Sequence, residues 1–127
     1  MAQVTGLGGI FYKVEDPERT ARWYKETLGV GGDWGAMFPW KQDASGEAYS
    51  LLSPFKAASD YFAPSDARFM INLRVDDLDG LKASLTAAGI EVITKPEWDT
   101  MPEVGQFARI HDPEGNAIEL WQPAPPA

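Results

Sequence analysis

Apolar residues recur along this chain with two periods, and the two alternate in the same order twice. Leu7 to Val14, LGGIFYKV, sets Ile10, Tyr12 and Val14 against Gly9, Phe11 and Lys13, the period-two pattern of a strand. Asp16-Pro17-Glu18 then opens a helix: Asp16 can accept from the first free N–H groups, Pro17 suits the first helical position, and Glu18 favours the positive end of the dipole. Ala21, Tyr24 and Leu28 form its apolar stripe, Trp23 is expected to pack beside it, and Gly29 stops it. Strands are expected from about Gly35 to Lys41 and from Glu47 to Leu52, joined by a turn through Asp43-Ala44-Ser45-Gly46.

After a stretch with no clear period, the order repeats. Phe69 to Val75 alternates as a strand, and Asp77 caps a helix whose stripe is Leu78, Leu81, Leu85 and Ala88, stopped by Gly89. Ile90 to Thr94 is a short strand, and Lys95 to Val104 a loop carrying Trp98. The hairpin QFARIHDPEGNAIELW closes the pattern, with turn chemistry in Asp112-Pro113-Glu114-Gly115-Asn116. In its second strand Glu119 shares a face with Ala117 and Trp121, opposite Ile118 and Leu120. That face is either a solvated exterior or the wall of a cavity with Glu119 as its acidic group.

Laid over one another, GIFYKVEDPERTARWYKETLGV matches MINLRVDDLDGLKASLTAAGIEV, and GEAYSLL matches GNAIELW. This is a two-copy repeat of about 60 residues, each copy strand, helix and three strands. The expected fold is therefore α+β: two tandem βαβββ modules whose curved mixed sheets surround a central cavity. One domain spans 1–127, with module one at 5–53, a linker at 54–68, module two at 69–122 and a tail at 123–127. Phe55, Tyr61 and Phe62 indicate a linker that packs down.

Composition narrows the function. With 44% hydrophobic and 24% charged residues the chain reads as an ordinary soluble domain, and no apolar run approaches the roughly 20 residues that span a bilayer. Its start lacks a basic, signal-like region, so the expected location is cytoplasmic. A net charge of −8 argues against nucleic acid or an anionic membrane as partner. The absence of Cys and the single His exclude the familiar zinc patterns, and His111, beside a turn, is expected in a solvated loop.

The segments DPE..ARWYKETLG, MINLRVDDLDGL and FARIHDPEGNAIELW resemble the vicinal oxygen chelate superfamily, which includes glyoxalase I, bleomycin-resistance proteins and extradiol dioxygenases. The resemblance covers residues 5 to 122, and within it the chain is most similar to small glyoxalase-like proteins. It implies a divalent metal held by four side chains, at the places occupied here by Gly9, Ser50, Met70 and Glu119. Only Glu119 suits such an ion, so no catalytic metal and no cofactor are expected, an oxygen-only site from Glu119, Ser50, Asn72 and Glu103 being the alternative.

What remains is a ligand cavity. Phe11, Lys13, Trp40, Ser50, Met70, Asn72, Arg74 and Trp121 are the expected ligand-binding residues, with Trp34 or Trp98 also at the rim and Glu119 as the one candidate catalytic group. Asn72 and Glu119 either satisfy each other or jointly orient a ligand. The leading reading is a metal-independent protein that binds a small, partly aromatic, neutral or cationic molecule, as drug-sequestering members of the superfamily do. The alternative is a glyoxalase-like lyase or isomerase in which Glu119, its pKa raised by desolvation, is the general base and Lys13 or Arg74 stabilises the enolate. A homodimer is expected from the resemblance and the abundance of aromatic surface.

Overall fold

A computed structural model describes residues 2–43 and 46–124. The element order is β1 (Val4–Val14), α1 (Pro17–Leu28), β2 (Ala36–Asp43), β3 (Gly46–Lys56), β4 (Phe69–Val75), α2 (Leu78–Ala87), a short 3-10 helix (Pro96–Asp99), β5 (Gly105–His111) and β6 (Ala117–Pro123). The six strands make one mixed sheet in the order β2-β3-β1-β4-β6-β5, open at both edges. Within each half the first strand pairs in parallel with the last, β1 with β3 and β4 with β6. The halves join where β1 runs antiparallel to β4, Ile10 opposite Ile71 and Phe11 opposite Met70.

Both helices start where their caps stand. Asp16 accepts from Arg19 N and Asp77 from Gly80 N, each at 3.0 Å. Gly29 ends α1 in the left-handed region. The α1 stripe is used less than its period suggests: Ala21 is buried, but Leu28 and Trp23 are exposed, Trp23 leaning edge-on against Tyr24. By contrast α2 closes a core of Val75, Leu78, Ala108 and Leu120 on one face of the sheet. A second core, Phe11, Phe62, Met70 and Ala117, fills part of the other face.

Several elements differ from the sequence pattern. The strand expected at Ile90 to Thr94 contracts to a single bridge, Ile93 opposite Arg109, because Pro96 opens the 3-10 helix at once. In the first half the glycine-rich run after α1 likewise adds no strand before β2, so each half has a first strand, a helix and two further strands. β3 continues through Pro54 to Lys56, into the expected linker. There β2 has already ended, at Ala36 opposite Leu52, so β3 has one neighbour and Pro54 lacks no ladder bond. His111 ends β5 opposite Ala117, half-buried instead of in a solvated loop. The expected turn at Ala44 and Ser45 and the tail beyond Ala124 lie outside the described residues.

Candidate functional site

The hairpin of β5 and β6 is set by its turn. Asp112 Oδ1 accepts from Glu114 N and Asn116 N, both at 2.9 Å, and Oδ2 accepts from Asn116 Nδ2 at 3.0 Å. These bonds fix the register that lays Arg109 opposite Glu119, while the parallel ladder lays Asn72 opposite Glu119 on its other side. Three polar side chains from three strands thus form one row, Arg109–Glu119–Asn72, each about 1% exposed.

Glu119 is closed by three donors. Asn72 Nδ2 donates to Oε1 at 2.7 Å, the Tyr61 phenol donates to Oε2 at 2.5 Å, and Arg109 Nη2 lies 3.4 Å from Oε2. Burial pushes the Glu119 carboxyl above its ordinary value, against the pull of Tyr61, Arg109 and Asn72. Burial, and then the carboxylate beside it, push the Tyr61 phenol far up, so that it stays a donor. The Arg109 guanidinium lies 4.8 and 4.5 Å from the ring centroids of Tyr61 and Trp98, and its Nη1 donates to Tyr61 O at 2.7 Å. Asn72 Oδ1 is buried with no hydrogen-bond partner among the described residues.

The row lies between two apolar layers. Below it are Phe11, Met70, Ala117 and Phe62, Phe11 stacked on Phe55 at 5.2 Å. Above it Trp121 stacks on Phe107, donates Nε1–H to Val104 O at 2.8 Å and meets Tyr49 edge-on. In this upper layer Arg74 lies under Trp40, Tyr49 and Trp121 at 5.4, 5.6 and 5.0 Å. β1 approaches through a register shift between Leu7 and Gly9, and its glycines make the approach feasible. A Cβ on Gly8 would fall 1.7 Å from Asn72 Oδ1, and one on Gly9 2.3 Å from Leu51 O.

Of the residues singled out from sequence, Glu119 and Asn72 belong to this row, Trp121, Arg74 and Trp40 lie together in the layer above it, and Phe11 and Met70 lie in the layer beneath. Ser50 is committed elsewhere: it accepts from Trp40 Nε1 at 2.9 Å and donates to Leu7 O at 2.5 Å. Lys13 sets its ammonium over the Phe62 ring at 5.2 Å, and no contact joins it to Glu119. Trp98 reaches the site, whereas Trp34 is exposed in a separate acidic cleft with Glu15, Asp16, Glu18 and Asp33. Sequence reasoning missed Arg109 and the polar role of Tyr61. Folding the hairpin about Glu114 would have set Arg109 opposite Glu119, but no local signal carries Tyr61 to it.

A model of the family described as "Glyoxalase-like domain" matches residues 9–121. This chain belongs to that family, within the vicinal oxygen chelate superfamily. Among curated proteins it resembles "Putative glyoxylase CFP32" of Mycobacterium bovis, 43% identical over 51 residues, 40% of this chain. The chain matches only 19% of that protein's length. Among solved structures, Streptomyces coelicolor methylmalonyl-CoA epimerase in complex with 2-nitronate-propionyl-CoA superposes with a TM-score of 0.67 at 20% identity, over 96% of this chain and 99% of that one. A catechol 2,3-dioxygenase superposes with a TM-score of 0.59 at 26% identity, over 98% of this chain and 41% of that one. At 20% identity the epimerase likeness speaks for the fold alone.

The divalent metal that the superfamily implies does not suit the residues at its places. Gly9 has no side chain and no room for one, Ser50 is spent on Leu7 O and Trp40, and Met70 offers a thioether inside an apolar layer. Glu119 faces a guanidinium, and its oxygens already accept from Tyr61 and Asn72. Hard ions need several free oxygen or imidazole donors, and a second cation beside Arg109 would be repelled.

Proposed function

We propose that this glyoxalase-like protein binds a small, partly aromatic organic molecule without a metal, on the sheet face that carries Glu119. The row Arg109–Glu119–Asn72 between aromatic layers is the observation that carries the reading: apolar walls with a few fixed polar groups are the make-up of ligand sites. Arg109 alters the expected ligand. Its charge offsets that of Glu119, so the row favours a neutral, donor-rich molecule over a cation. The test is titration of candidate aromatic ligands against intrinsic Trp fluorescence, with and without a chelator. Quenching that survives the chelator supports the reading, and binding that needs an added divalent ion sinks it.

A second reading has one observation in its favour, the raised pKa of Glu119, which suits a general base in a lyase or isomerase. Against it, both carboxylate oxygens are occupied and the group is buried. Turnover that Glu119→Gln abolishes would establish it.

We also propose a homodimer located within the cytoplasm. On the face opposite Phe11 and Met70, Ile10 and Ile71 pair across the junction of the halves, with Leu7 and Phe69 nearby, all exposed. Light scattering is expected to give a dimer mass, and Ile71→Lys a monomer. Among the described residues no helix is long and apolar enough to cross a membrane.

A further inference from the structure

Residues 57–68, between the two halves, form a closed loop. Ala57 N donates to Val14 O at 2.6 Å and Lys13 N donates to Arg68 O at 2.8 Å, so both ends are pinned side by side at the end of β1. Arg68 Nη2 adds a bond to Lys13 O at 2.8 Å. Inside the loop the bonds are local: Ser59 N to Lys56 O, Ala63 N to Asp60 O, Ser65 N to Phe62 O and Tyr61 N to Ser59 Oγ. A compact segment with adjoining ends and internal packing is an Ω-loop, a form that often carries function.

This loop lays Tyr61 over the polar row. The Tyr61 hydroxyl donates to Glu119, its backbone carbonyl accepts from Arg109, and its ring stacks on Phe55 at 5.5 Å and meets Trp98 edge-on at 6.1 Å. Both charged groups of the row are therefore closed by one residue of a loop, through a phenolic donor, an aromatic plane and a carbonyl acceptor. The stand-in is incomplete, since Asn72 Oδ1 stays unpaired among the described residues beside the carboxylate it serves.

We infer that Tyr61 is a tethered occupant of a subsite for a phenol that also carries a carbonyl or amide oxygen, and that such a molecule binds by replacing it. The inference rests on the binding-protein reading above and specifies its ligand class. Glu119 selects the hydroxyl, Arg109 selects the carbonyl, and Phe55 and Trp98 hold the ring. The loop moves from its ends at β1, so ligand entry leaves the sheet in place. The subsite is closed to water until a molecule offers the same three features.

N-acetyl-tyrosinamide copies the residue in question, and N-acetyl-phenylalaninamide copies it without the hydroxyl. In the full chain carrying Tyr61→Ala, calorimetry is expected to show the tyrosine probe binding about tenfold or more tighter than the phenylalanine probe, the worth of a hydrogen bond to a charged group. The unaltered chain is expected to bind the tyrosine probe more weakly than Tyr61→Ala does, because its own Tyr61 competes. At saturation the backbone amides of residues 58–63 should exchange faster with solvent. If Tyr61→Ala does not fold, Tyr61→Phe serves: it keeps the ring, frees Glu119, and should bind the tyrosine probe more tightly than the unaltered chain. Equal affinity for the two probes in Tyr61→Ala overturns the inference. So does equal affinity of Tyr61→Phe and the unaltered chain, or binding that leaves loop exchange unchanged. If another aromatic ligand still quenches Trp fluorescence without metal, the binding reading survives that failure and only the role of Tyr61 is lost.

Discussion

The two halves share a frame and differ in what they place on it. Ser50 stands in the repeat where Glu119 stands in the second half, and the ladders set Phe38 opposite Ser50 and Arg109 opposite Glu119. In the first half a neutral hydroxyl is satisfied by one indole and one backbone carbonyl. In the second a buried carboxylate draws an arginine, an asparagine and a tyrosine from three separate parts of the chain. Duplication supplies the scaffold twice, but one charge in a dry place recruits its own surroundings, because an unpaired buried charge costs far more than a hydroxyl. The first half is wall and the second half carries the polar chemistry.

The largest expected difference between the halves comes from removing the cross-strand partner. Arg109→Ala strands a buried carboxylate and should lower unfolding free energy by about 3–5 kcal/mol near neutral pH. Phe38→Ala, the same ladder position in the first half and 45% exposed, should cost about 1 kcal/mol or less. Urea unfolding of both variants measures this, and similar losses would dissolve the contrast.

A smaller effect tests how closely β1 must approach the row. Gly8→Ala drives a methyl into Asn72 Oδ1 and should cost about 1–3 kcal/mol as overpacking. Gly32→Ala, where a Cβ meets nothing within 4 Å, should change stability by about 0.5 kcal/mol or less. A neutral Gly8→Ala would mean that Asn72 has room to turn away.

The smallest effect sharpens the contrast through pH. Folded Glu119 holds its proton to higher pH than the unfolded group, whose ordinary value is 4.5. Above that value the unfolded chain binds fewer protons than the folded one at this site, so raising the pH favours unfolding. This stabilising contribution is complete below the ordinary value and is lost as pH rises through the raised one. Glu119→Gln has no proton to lose, so the difference in Tm between it and the unaltered chain should move in favour of Gln with rising pH. Ser50→Ala should show no such trend. A pH-independent Tm difference for Glu119→Gln would mean that the site leaves its carboxyl at the ordinary value.

Both helices, the strands apart from the one expected at Ile90 to Thr94, and the twofold repeat were legible because their causes are local. Asp16 and Asp77 cap where their spacing says, and β6 alternates Ala117, Glu119 and Trp121 against Ile118 and Leu120. The pairing of Asn72 with Glu119 followed from the repeat and strand alternation. Tyr61 was out of reach because its place depends on how an irregular loop folds back over a sheet, which no period encodes. Leu28 and Trp23 misled for the opposite reason: helical spacing marks a face, and only the tertiary arrangement decides whether anything covers it.

The antiparallel junction of β1 and β4 also governs how the chain acquires its shape. β1 lies between β3 of its own half and β4 of the other, so its second ladder closes only after the chain has passed through Phe69. Neither half is then a folding unit with finished edges, and the search includes a long-range closure that helical proteins avoid. A cut within residues 57–68 would convert that intramolecular closure into an encounter between two fragments. Their recombination would follow second-order kinetics, with a rate set by concentration.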